Sequence, residues 1–258
     1  MADQREVLTT RIILRAMLPV LKVVVEDDPV MKKRFAGVNA KIQFQANHQS
    51  ETVGAFLVFT DGALSVEQGI CDNPDITLSF DTLARMNAMF SGKMVIPGIR
   101  GFGKPILLLK VFSLLMSLKI LLPDARPADP ARQRLKVKMA FYMITTALSQ
   151  YNKGGDPEMV RWTSKQPERI YQITVEPEGI AAYLRIKAGK SKAGRGKYTR
   201  RYPFVHLKFN GVSGAFPVVM NDVDMVTAMK KGYLVVEGSP EYGRDFGDFM
   251  VRIQGLVT

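Results

Sequence analysis

The residues whose types and spacing could do chemistry gather first at Gly98-Ile99-Arg100-Gly101-Phe102-Gly103-Lys104-Pro105. This run is one residue short of a phosphate-binding loop, G-x-x-x-x-G-K-[ST], in which backbone N–H groups and a lysine cradle phosphates and a hydroxyl holds magnesium. Pro105 stands where the hydroxyl belongs, and proline at a first helical position is common for structural reasons alone. The two histidines, His48 and His206, are separated by most of the chain and suit ordinary hydrogen-bonded roles. The single cysteine, Cys71, excludes an internal disulfide framework and any multi-cysteine metal site, and no activating base is evident beside it. Asp245-Phe246-Gly247 matches a kinase tripeptide, but no other kinase element accompanies it. Catalytic groups are scarce enough that the expectation is a non-enzyme without cofactor or metal.

Charge points to anionic partners. The formal charge is +12, with 14 Lys/Arg against 12 Asp/Glu in residues 1–125 and 22 against 12 in residues 126–258. Residues 185–201 alone carry eight Lys/Arg, and no acid occurs from residue 179 to 221. Three glycines in that stretch suggest a long mobile hairpin tip. Lys187, Lys190, Lys192, Arg195, Lys197, Arg200 and Arg201 are therefore candidates for contact with an anionic membrane or ligand. Nucleic acid is the less favoured partner, because no recognised binding motif surrounds the basic run.

The elements that must position these groups follow from periodicity. Helical spacing of apolar residues predicts a helix over residues 5–35, with Pro19 kinking or restarting it. Period-two alternation predicts strands at 41–47, 53–60, 63–69 and 76–80, then a helix at 81–90 capped by Asp81 and a short strand at 94–96. Residues 106–122 are almost continuously apolar but carry Lys110 and Lys119, and the run is short for a membrane span. Such a helix must be buried all round, packed on a partner or placed against lipid. Three prolines within residues 123–130 read as a stiff connector. Beyond it the pattern predicts a helix at 131–150, strands at 170–175, 180–186, 204–209, 215–220 and 233–237, and helices at 222–231 and 242–253.

The second half repeats the first. With an ungapped shift of 140, residues 76–111 fall on residues 216–251; Ala88 meets Ala228, Gly92 meets Gly232 and Gly98 meets Gly238. The repeat also bears on the bend: its second copy puts Glu241 and Asp245 where phosphate would be repelled, which favours a conserved turn over a nucleotide site. The expected division is a first unit over 1–123, a linker over 124–130 and a second, basic, divergent unit over 131–258, giving an α+β protein.

Asp72-Asn73-Pro74-Asp75-Ile76-Thr77-Leu78, a short helix, then Ser91-Gly92-Lys93-Met94-Val95-Ile96-Pro97-Gly98 resembles the core signature of sterol carrier protein type 2 domains. The match covers residues 40–112, and the second copy follows it more loosely, without the aspartate–proline turn. The resemblance implies two sterol-carrier-like units, each a mixed or antiparallel sheet of about five strands with helices on one face around an apolar cavity, and no catalytic residues. It implies a lipid-binding or lipid-transfer role, with a sterol, fatty acyl chain or acyl-CoA as ligand; the lone cysteine fits a reducing interior and the basic second half an anionic membrane, so the expected location is the cytoplasm, peripheral to the membrane. By position, the cavity of the first unit would be lined by Met86, Met89, Phe90, Ile106, Leu109, Phe112, Leu115 and Met116. That of the second would be lined by Met225, Met229, Phe246, Phe249 and Met250. Fourteen methionines suit a cavity of irregular shape. Two alternatives stay open: a scaffold or homodimer joined through the apolar helix, and a phosphate- or nucleotide-binding enzyme at Gly98–Lys104.

Overall fold

The computed structural model describes residues 4–257 and is α+β. The chain forms two compact units, the first reaching to Leu122 and the second running from Pro123 to Leu256.

In the first unit, β1 (Ala40–His48), β2 (Glu51–Thr60), β3 (Ala63–Gln68), β4 (Ile76–Phe80) and β5 (Gly98–Arg100) form one sheet in the order β3-β2-β1-β4-β5. β1 and β4 are parallel; the other neighbours are antiparallel. Alternation aims Ile42, Phe44 and Ala46 at one face, where the register sets them beside Leu57, Ala55, Ile76, Leu78 and Phe80, all buried. Helices cover that face. α3 (Pro29–Phe35) stacks Phe35 on Phe59 with centroids 4.5 Å apart, and α4 (Leu83–Phe90) sets Phe90 6.1 Å from Phe44. α1 (Gln4–Ile12) and α2 (Leu18–Asp27) are joined by a π-helical turn, Ile13–Met17. The wide turn ends where Pro19 can neither donate an N–H nor tolerate the preceding carbonyl, so the chain stays helical by changing pitch. Asp28 accepts from the N–H groups of Val30 and Met31 and so starts α3. α5 (Pro105–Ser117) and a 3-10 turn (Leu118–Leu121) close the unit.

The second unit begins with α6 (Pro130–Lys153) and α7 (Pro157–Ser164), followed by β6 (Arg169–Glu176), β7 (Ile180–Lys187), β8 (Lys190–Arg195) and β9 (Val205–Asn210). α8 (Gly211–Val219), α9 (Met225–Lys230), β10 (Leu234–Gly238) and α10 (Pro240–Val257) complete it. The sheet order is β10-β9-β6-β7-β8, with β6 and β9 parallel and all other neighbours antiparallel. Strand for strand this is the topology of the first sheet.

The shared topology rests on shared chemistry. Gln43 on β1 is 1% exposed; its Nε2 donates to the carbonyls of Phe44, Ala55 and Gly69, and its Oε1 accepts from Cys71 N–H. Gln172 on β6 donates to Ile173, Ala182 and Gly196 and accepts from Tyr198 N–H. In each unit one amide pins the chain that leaves the third strand and crosses the sheet to reach the fourth. A second duplicated contact closes each sheet. Gly101 and Gly238 have φ of +100° and +96°, and a Cβ there would lie 2.2 Å from the Asp75 carbonyl oxygen and 2.0 Å from that of Phe204. Only glycine fits both positions.

Several sequence expectations are corrected. Residues 215–220 are helical, not extended: they lie in or just after α8, which has no counterpart in the first unit. The ungapped shift of 140 over residues 76–111 therefore fails in the strand, where β4 answers to β9 rather than to residues 216–220, and at the bend, where Gly101 rather than Gly98 answers to Gly238. It holds at the helix ends: Gly92 and Lys93 donate to Met89 and Ala88 as Gly232 and Tyr233 donate to Met229 and Ala228. Residues 93–97 form no strand. Thr82, not Asp81, caps α4 through Arg85 N–H. The basic stretch is no loose tip, since Lys190–Arg195 is the edge strand β8. α7 and its tryptophan escaped the periodicity.

The proline-rich segment is tied down inside the second unit. Arg126 makes a bidentate pair with Asp222, Gln133 Nε2 donates to the Pro127 carbonyl, and Lys136 Nζ donates to the Ala125 carbonyl at 2.7 Å. Lys136 is only 2% exposed, and burial, reinforced by Arg126, pushes its ammonium down to about 8.

Gln43→Leu or Gln172→Leu should cost about 1–3 kcal/mol by stranding buried backbone groups; urea unfolding monitored by circular dichroism measures it, and unchanged midpoints would refute the pinning role. Between pH 8 and 10.5 the unfolded chain keeps a proton that folded Lys136 has released. Stability contributed at this position should therefore rise with pH across that window. The difference in unfolding free energy between wild type and Lys136→Met, measured at several pH values, should move in that sense.

Candidate functional site

The glycine bend is built as a corner. Gly98 and Arg100 pair with β4 opposite Ser79 and Thr77, and Gly101 presses on the Asp75 carbonyl. Lys104 is ion-paired with Asp75, whose other oxygen accepts from Lys41 N–H at 2.7 Å. Burial alone would raise the Asp75 carboxyl; the hydrogen bonds from Lys104 and Lys41 outweigh it and hold the group below the usual carboxylate range. With Lys104 committed to Asp75 and Pro105 opening α5 without an N–H, two donors that a phosphate cradle would use are withdrawn from the bend.

His206 and Cys71 are likewise engaged. Thr174 Oγ1 lies 2.9 Å from His206 Nε2, and burial followed by Lys208 pushes this imidazole down, toward its neutral form. Cys71 is buried with its thiol against the Asp72 carbonyl. His48 ends β1 and is half-buried. Among the described residues no cluster of three or more His, Cys, Asp or Glu could hold a metal ion.

What remains distinctive in the first unit is α5 and the segment that leads to it. α5 buries Val111 and Leu114 and half-buries Leu107, Leu108, Phe112 and Leu115. Its opposite stripe is open: Ile106 is 72% exposed, Leu109 71% and Met116 53%. Before the helix, Met94 is 99% exposed, Ile96 77% and Phe102 68%. Isolated exposed apolar residues are ordinary, but six within 23 residues are not. Of the residues expected to line a cavity here, Met86 and Phe90 are buried over β1 and Met89 is half-buried. Phe112 and Leu115 sit at the boundary between core and surface, while Ile106, Leu109 and Met116 face outward.

In the second unit, α7 and α10 flank an open cleft of about 430 Å³, lined among others by Trp162, Tyr242, Phe249, Asp245, Asp248 and Arg252. Trp162 Nε1 donates to Asp245 Oδ2 at 3.0 Å, and its ring lies 5.3 Å from Phe249 and 6.5 Å from Tyr242. The rim is charged, with Arg252 paired to Glu158. Phe249 is the one expected lining residue that borders this cleft. Phe246 is fully buried, stacked on Tyr171 at 5.1 Å; Met225 and Met250 are half-buried, and Met229 is exposed. Burial pushes the Tyr171 phenol up, and its hydroxyl donates to Gln166 Oε1.

The basic residues are less free than their number suggests. Glu168 accepts from Arg185 at 2.7 Å and lies 3.8 Å from Lys187 and 3.7 Å from Arg201; the Arg185 bond holds its carboxyl below the usual range. Lys197 pairs with Glu176 at 2.6 Å, and the Arg195 guanidinium lies 5.0 Å from the centroid of the Tyr142 ring. Lys190, Lys192 and Arg200 are exposed.

No protein-family model matches the chain, and no curated protein does. Thirteen chains of solved structures match. One is the stereoselective inverting sec-alkylsulfatase Pisa1 from Pseudomonas sp., 13% identical, with a TM-score of 0.27 over 57% of this chain and 28% of that one. A double mutant of the same sulfatase matches at 14% identity and a TM-score of 0.29. The present chain thus spans little more than a quarter of the sulfatase's length. A third is a ubiquinone synthesis protein, UbiJ-SCP2, 12% identical, with a TM-score of 0.29 over 45% of this chain and 96% of that one.

Proposed function

We propose that the chain is a non-enzymatic lipid-binding protein that shields a sterol, fatty acyl chain or acyl-CoA and exchanges it at a membrane, working in the cytoplasm and peripheral to the bilayer. The observation that carries this reading is α5, a helix apolar on almost every side whose outward stripe is left to solvent. Soluble domains seldom leave such a stripe uncovered, and an apolar ligand or a bilayer covers it without a specific protein partner.

In this reading α5 acts as the lid of the first unit. It packs on α2 and α3, and Phe112 and Leu115 stand at the seam between the lid and the core. Met86, Met89 and Phe90 on α4 are the further residues this reading assigns to the ligand, and unbranched methionines can re-pack around it at small cost. Phe249, with Met225, Met229, Phe246 and Met250, would serve a second ligand only if α10 moves, since Phe246 is closed into the core. The competing reading is a homodimer joined through the α5 stripe. It predicts a stable dimer in light scattering with no lipid inside.

Protein purified without detergent should yield co-extracted lipid by mass spectrometry and bind a fluorescent fatty acid saturably. Phe112→Ala with Leu115→Ala should weaken that binding about tenfold, from the apolar contact removed. Absence of both extracted lipid and saturable binding would sink the proposal.

A further inference from the structure

We infer that residues 93–102 and the outward stripe of α5 form a docking face for anionic lipid bilayers, and that the basic strand of the second unit is not required for it. The geometry brings these pieces together. Gly92 packs against Leu122 at the far end of the α5 region, and the chain then returns through β5 to the start of α5. Residues 93–101 therefore span from one end of that region back to the other. Ile106, Leu109 and Met116 fall on one stripe at helical spacing. Met94 and Ile96 lie on the returning strand of chain, and Phe102 sits at the corner. The backbone at Ile96 is fixed, its carbonyl accepting from Arg85 Nη2 at 3.2 Å.

Charge selects the occupant. Between Asp81 and Asp124 the chain carries six Lys/Arg and no acid. Lys93, Arg100 and Lys119 are exposed and Lys110 half-buried, and the ion pairs of this stretch involve Arg85 and Lys104 instead. An apolar patch accompanied by cations that have no ion pair among the described residues matches the two layers of an anionic membrane surface: side chains enter the acyl boundary while cations meet the headgroups. A second copy of the chain fits less well, because a two-fold contact through this face would bring one acid-free set of cations, Lys93, Arg100 and Lys119, against another. The second unit offers the weaker alternative. Glu168 and Glu176 already neutralise part of its basic run, and Tyr202 is the large apolar side chain exposed between residues 185 and 204.

The inference rests on the lipid reading but is separable from it. Vesicle binding without extractable lipid would keep the docking face and remove the carrier; extractable lipid without vesicle binding would do the reverse. The test is co-sedimentation of the full chain with vesicles of phosphatidylcholine alone and of phosphatidylcholine mixed with phosphatidylglycerol. Wild type should bind the mixed vesicles, and less so as salt rises. Met94→Asp with Ile96→Asp, and separately Lys93→Glu with Arg100→Glu, should each weaken binding about tenfold or more. Lys190→Glu with Lys192→Glu should stay within about twofold. Met94 and Ile96 are exposed and outside helices and strands, so circular dichroism and melting of that variant should match wild type. Wild-type binding by either first-unit variant, no wild-type binding to mixed vesicles, or loss confined to the Lys190/Lys192 variant would overturn the assignment.

Discussion

Each sheet depends on one buried glutamine. A chain that leaves an edge strand and crosses the face of its own sheet takes peptide groups away from water, and these must find partners. Gln43 and Gln172 supply them, each side chain donating to three carbonyls and accepting from one N–H. The crossing is what lets the fourth strand lie parallel beside the first. Without it the sheet would be a plain meander and the glycine corner would have no Asp75 or Phe204 carbonyl to close upon.

From that common frame the two units diverge in what they expose. In the first, the chain passes from β4 through the Thr82 cap directly into α4. In the second, α8 is inserted between β9 and α9. After the closing glycine, one unit places an oily helix with an open stripe and the other an amphipathic helix whose aromatics frame a charged cleft. The frame explains the similarity of the corners. Function has to be sought in the surfaces.

Electrostatics are also redistributed by folding. The formal charge lies mostly in the second half, but three carboxylates there carry much of the compensation: Glu168 for Arg185, Lys187 and Arg201, Glu176 for Lys197, and Asp222 for Arg126. Exposed pairs of this kind add little stability, yet they reduce the charge a partner meets. The first unit, nearly neutral in sum, has ion pairs of its own at Lys22–Glu26, Arg85–Asp81 and Lys104–Asp75, but its acid-free stretch over residues 82–123 coincides with the exposed apolar side chains.

The sequence by itself determined the α+β class and most of the strands, because period-two alternation at Ile42-Phe44-Ala46 or Ile170–Val175 is a direct consequence of pleating. It also determined the apolar extent of α5 and the turn role of the glycine bend. Only the tertiary structure decided which side of α5 is covered, since a helix apolar all round carries no periodic signal of its inner face. It alone revealed that Gln43 and Gln172 answer to one another, because a polar residue within a strand looks like any solvated position until the crossing chain is in place. It alone turned residues 215–220 from strand to helix, where the apolar run Phe216-Pro217-Val218-Val219 is compatible with either period. The basic run became an edge strand for a related reason: pairing with β7 is a non-local interaction, and local composition is silent about it.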